Sequence, residues 1–259
     1  MIQQMGAFFP YFFAGPTILG WGCAIVFTAI WLACYRPPLL SKPWLWAVFF
    51  AGAILAPVAM VIASYPLRYG VTALFSYLGS PEALQKWAWL LSIPSIFLFG
   101  LVLEGAKLVP VVVYWLRKNR EIEPKFGLLI GAVAGAGFGL LITQWALNYY
   151  IHDFKWSWQL VQARGFPAII GFWEGFFVLG LNVASTALAG WGIAKGWGWK
   201  FYLLAGFIYL VTNFNSILVA YQIVSATQAQ FIIATWALIV VGATLWLRER
   251  KEKTSREKK

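Results

Sequence analysis

The sequence predicts an all-α polytopic membrane protein: seven transmembrane helices, N-terminus outside and C-terminus inside. Three observations predict it. Of 259 residues, 61% are hydrophobic and only 11% charged, whereas a soluble domain carries about 45–50% apolar and about 25% charged residues. Seven apolar stretches each exceed the roughly 17–20 residues needed to cross hydrocarbon. Lysine and arginine crowd into every second loop. Mean hydropathy is +0.72. This composition excludes an ordinary soluble enzyme, a disordered chain and a nucleic-acid-binding domain. The net charge of +11 would suggest nucleic acid in a soluble protein, but here it sits in loops and in the last twelve residues.

The spans are read at 14–35, 44–65, 87–116, 126–149, 167–193, 201–223 and 228–247. No charged run or cleavage site accompanies the first, so it is expected to be a retained span. The third, at thirty residues, is expected to tilt or to break near Pro94 or Pro110. Segments 66–86 and 150–166 mix aromatic, apolar and charged residues and suit short interfacial helices. The expected organisation is one bundle over 1–247 and a solvated basic tail over 248–259.

Charge sets the direction. Loops 36–43, 117–125 and 194–200 and the tail carry fifteen Lys and Arg, while the alternate loops carry four: Arg68, Lys86, Lys155 and Arg164. By the positive-inside rule the first set is cytoplasmic. Trp44, Trp46, Trp87, Trp115, Trp197, Trp199 and Trp246 fall near the span ends, where amphipathic rings are favoured. The expected location is the plasma (cytoplasmic) membrane of a prokaryote, with the lipid bilayer and other transmembrane proteins as partners and no nucleic acid. No metal and no cofactor is expected. The chain has one histidine, His152, which excludes a histidine cluster around zinc and a bis-histidine haem. Cys23 and Cys34 are eleven helical residues apart, roughly 16 Å, too far for a disulfide.

Two features stand out. In FGLLIGAVAGAGFG, Gly127, Gly131, Gly135 and Gly139 recur every fourth residue. That spacing puts them on one helix face, a groove where another backbone approaches closely. The groove suits either a helix of this bundle or a helix of another protein. In LVLEGAKLVPVV, Glu104 and Lys107 lie three residues apart on one face. Ionisable groups within a span are functional candidates by default, and an internal ion pair that fixes register is the plainer alternative. Glu174 stands nearer the outer end of the fifth span. Asn182, Ser185 and Thr186 in that span, and Tyr209, Thr212, Asn213 and Asn215 in the next, add polar groups that lipid cannot satisfy. Glu104, Lys107, Asn182, Thr186, Tyr209 and Asn213 are therefore expected to share a polar centre.

This order of motifs over about residues 100–217 resembles the PrsW family of intramembrane proteases. That family is grouped with the CAAX prenyl endopeptidases and the Aph subunit of gamma-secretase. The family's Glu-Glu-x-x-Lys motif matches LEGAK, which keeps Glu104 and Lys107 with Leu103 in place of the first glutamate. Ile142 and Thr143 stand where the family's glycine span ends in glutamate and asparagine. Asn182 replaces a histidine four residues before Thr186, and Tyr209 replaces another four residues before Asn213. The resemblance implies catalytic roles for Glu104 and Lys107, but most groups able to take a proton near neutral pH are gone. It therefore implies the fold without the proteolysis. The leading expectation is a non-catalytic scaffold or complex subunit, in which the glycine stripe and polar centre hold another protein's transmembrane helix. A diverged protease using Glu104 with Glu174 is one alternative. A small-molecule or lipid transporter using the polar centre is another.

Overall fold

A computed structural model describes residues 17–78, 80–153 and 155–250. Among these every regular element is helical. In chain order they are α1 (Ile18–Tyr35), α2 (Trp44–Val58), a π-helical turn (Ala59–Ser64), α3 (Tyr65–Leu78), α4 (Pro81–Arg117), α5 (Pro124–Asp153), α6 (Trp158–Arg164), a 3-10 turn (Phe166–Ile169), α7 (Ile170–Ala194), α8 (Gly198–Ala220) and α9 (Ala226–Glu249). Seven of the helices, α1, α2, α4, α5, α7, α8 and α9, are long and apolar enough to cross a membrane.

Local chemistry sets the ends. Thr17 caps α1 by accepting from Gly20 N, and Ser225 with Gln228 forms a reciprocal capping box at α9. The long third span is one helix of 37 residues that runs through both Pro94 and Pro110. Each proline removes a single intrahelical hydrogen bond, which is tolerated where neighbouring helices hold the segment in place. The segments between the second and third and between the fourth and fifth spans hold the short helices α3 and α6.

Contacts between helix ends fix the arrangement. At one end, Tyr35 of α1 meets Thr244 of α9 at 2.5 Å, and the Lys42 ammonium lies 4.0 Å from the ring centre of Phe126 at the start of α5. This end carries the arginine- and lysine-rich loops. At the other end, Asn148 Oδ1 accepts from Thr17 N and Thr17 Oγ1, and Trp173 of α7 donates to Gln230 O of α9. Arg248 pairs with Glu249, and its Nη1 donates to Cys34 O at 2.6 Å, so it ties α9 to the C-terminus of α1. Residues 251–259 lie outside the described residues.

The core sits around α5 and α7. Their most apolar stretches are 72% and 78% buried, against 28–44% in the other five spans. The glycine stripe explains the closeness. A methyl at Gly131 would run into Thr186 O, and one at Gly135 into Asn182 O. A methyl at Gly127 would lie 2.6 Å from Gly190 O, and one at Gly139 3.2 Å from Asn182 Cβ. The stripe is therefore filled by α7 of the same chain. Of the two occupants the sequence allowed, a helix of this bundle lies against the stripe. A second face of α5 meets α2 as tightly, since a methyl at Gly137 would strike Phe49 O and one at Gly52 would strike Ala134 O.

Candidate functional site

The polar centre is built on α4 and α7. Glu104 and Lys107 stand one turn apart on α4, each only 1% exposed. Lys107 Nζ donates to Glu104 Oε1 at 2.5 Å, to Asn182 Oδ1 at 3.0 Å and to Ser185 Oγ at 3.4 Å. An ammonium has three hydrogens, and all three find acceptors. Ser185 Oγ lies 3.2 Å from both carboxylate oxygens of Glu104 and donates to them. The ammonium also sits 5.5 Å from the centre of the Phe138 ring on α5. Two charges placed in low dielectric are costly unless paired and hydrogen-bonded, and this network meets both conditions.

A cavity of about 150 Å³ adjoins the pair. Glu104 and Leu103 line it from α4, Phe138 and Trp145 from α5, Asn182 and Ser185 from α7, and Tyr209, Thr212 and Asn213 from α8. The structure thus places Glu104, Asn182, Tyr209 and Asn213 around one space, with Lys107 bonded into its wall. The asparagines are held separately: Asn182 Nδ2 donates to Val178 O and Asn213 Nδ2 to Tyr209 O, each four residues back on its own helix. Tyr209 is fixed against α4, because a methyl at Gly100 would come within 2.6 Å of its ring.

Thr186 takes another place. Its hydroxyl donates to Asn182 O, and its side chain lies against Gly135 of the helix contact, outside the cavity lining. Ser185, one residue earlier, makes the contacts with the ion pair. The sequence reading puts Thr186 in the polar centre and leaves Ser185 out of it, whereas the contacts with Glu104 and Lys107 are made by Ser185. That reading also overlooks Gln144 and Asn148, fully buried on α5, which signal themselves only as amides within an apolar stretch. Glu174 lies apart from the polar centre. Its Oε2 accepts from Gln230 Nε2 at 2.9 Å, and it lines a neighbouring chamber.

The Glu104 carboxylate is held by an ammonium and a hydroxyl, and among the described residues no second carboxylate lines its cavity. Among the described residues no three His, Cys, Asp or Glu side chains cluster as a metal-ligand set. Searches of protein-family models, curated protein sequences and solved structures found no match to this chain.

Proposed function

We propose that this polytopic membrane protein is a non-catalytic intramembrane binding protein whose polar cavity receives a small hydrogen-bonding molecule or the polar head of a lipid. We further propose that its bundle is a relative of the PrsW and Aph superfamily in which the active site has become a binding site. One observation carries the reading: the Glu104–Lys107 pair is satisfied by its own contact and by Asn182 and Ser185 of α7, while the cavity beside it also presents Tyr209, Thr212 and Asn213 from α8. A pocket with a few converging polar groups in an apolar surround is the usual form of a ligand site. The glycine stripe lies against α7 of the same chain, which favours the cavity over the stripe as the binding feature.

The test is a cavity-filling variant. Asn213 returns its amide to its own helix, so Asn213→Phe occupies space without stranding a partner. Wild type and variant are purified in mild detergent, and co-purifying small molecules and lipids are identified by mass spectrometry. The expected result is a species enriched with wild type and lost from Asn213→Phe. Identical profiles would remove the reading, and so would cleavage of a membrane reporter by wild type that is abolished by Glu104→Gln.

A further inference from the structure

Beside the polar centre, at the end opposite the basic loops, lies a larger chamber of about 370 Å³ between α5 and α7. It shares the walls of Ile142, Trp145 and Val178 with the first cavity. Its remaining polar and aromatic lining is Glu174, Thr143, Tyr149 and Tyr150. Gly171 and Gly175 form part of the α7 wall: a methyl at Gly171 would collide with the Tyr150 ring, and one at Gly175 would stand 3.2 Å from Thr143 Cγ2. At these two positions α5 side chains pack directly against the α7 backbone.

Two groups in this chamber lack what their chemistry asks for. Glu174 has the amide of Gln230 as its hydrogen-bond donor, and no lysine or arginine pairs with it among the described residues. A carboxylate inside a membrane span without a counter-ion is costly and marks a functional position. Thr143 is 2% exposed, and its hydroxyl oxygen has no hydrogen-bond partner among the described residues. Around them stand an indole and two phenol rings. Aromatic faces attract cations through the ring quadrupole, most strongly where water is excluded, and rings assembled around a carboxylate are a recognised receptor for organic ammonium groups.

We infer that this chamber is a binding site for an organic ammonium group. Glu174 supplies the counter-charge, and Trp145, Tyr149 and Tyr150 supply the aromatic walls. Nothing in this assignment depends on the reading of the polar centre. Such a group reaches the chamber either on a free small molecule or as the headgroup of an aminophospholipid.

The test uses the full-length protein with choline and its uncharged isostere 3,3-dimethyl-1-butanol, by titration calorimetry in mild detergent. Alongside it, native mass spectrometry follows release from nanodiscs of phosphatidylethanolamine or phosphatidylglycerol. Glu174→Gln keeps a partner for Gln230, and Tyr149→Leu removes one ring without touching the carboxylate. A free ligand is assigned if choline binds at least tenfold more tightly than the isostere and both variants reduce that ratio. A lipid headgroup is assigned if choline does not bind but phosphatidylethanolamine is retained over phosphatidylglycerol by wild type and not by Glu174→Gln. Equal binding of choline and the isostere, no binding in either format, or a preference that survives Glu174→Gln overturns the inference. Asn213→Phe is expected to leave this site unaffected, which separates its failure from that of the polar-cavity reading.

Discussion

Lys107 Nζ lies 2.5 Å from Glu104 Oε1, one helical turn away on α4, and both side chains are almost completely enclosed. Removing one member of a buried pair strands the other as an uncompensated charge, at a cost of about 3–5 kcal/mol. Glu104→Gln or Lys107→Met alone is expected to lower unfolding stability in detergent by that order. The double variant Glu104→Gln/Lys107→Met is expected to lose less than the sum. A strictly additive double-mutant cycle would show that the two groups are not coupled.

The α5–α7 contact should tolerate no side chain. At Gly131 a methyl meets backbone, not a flexible chain end, so Gly131→Ala has to force the helices apart, with an overpacking cost of about 1–3 kcal/mol. Gly22 and Gly242 have nothing within 4 Å of an added methyl. Alanine at either is expected to be neutral or to stabilise by up to about 1 kcal/mol, from helix propensity. Thermal unfolding of the three variants decides the matter, and equal losses at all three would refute the glycine contact.

Asn148 holds the start of the first helix. Its Oδ1 accepts from both Thr17 N and Thr17 Oγ1, and its replacement by leucine leaves those donors without an acceptor. Asn148→Leu is expected to cost about 1–2 kcal/mol, the range for losing a helix cap, with faster hydrogen exchange over residues 18–21. Unchanged protection there would dismiss the role.

The charge asymmetry predicts which loops face the cytoplasm. In a Cys23→Ser, Cys34→Ser background, Arg120→Cys is expected to react with an impermeant maleimide only from the cytoplasmic side. Arg164→Cys is expected to react only from the opposite side. Labelling of both from one side would invert or break the assigned topology.

Much of the architecture was legible because lipid imposes length. The fourth and fifth spans, read at 126–149 and 167–193, correspond to Pro124–Asp153 and Ile170–Ala194. The Glu104–Lys107 pairing was legible too, since three residues along a helix leave two side chains on one face. Less was legible in the prolines of α4. Whether proline breaks a helix depends on what surrounds it, and the sequence does not carry that information. Ser185 and Thr186 illustrate another limit. Adjacent helical residues point about 100° apart, so polarity alone does not tell which one turns toward α4. The partner of the glycine stripe was open for a similar reason: small residues specify a close approach, not whose backbone approaches.

The two most enclosed crossings, α5 and α7, are consecutive in the chain. During synthesis the translocon therefore receives the centre of the bundle as one local hairpin, after α1, α2 and α4 and before α8 and α9 emerge. The wall made by Ile208, Tyr209, Thr212 and Asn213 belongs to α8, which arrives afterwards. Until it does, Glu104 and Lys107 have each other and α7 but no closed chamber beside them. Biogenesis thus inserts the hub mid-course, after three crossings, and makes the receptacle one of its last acquisitions.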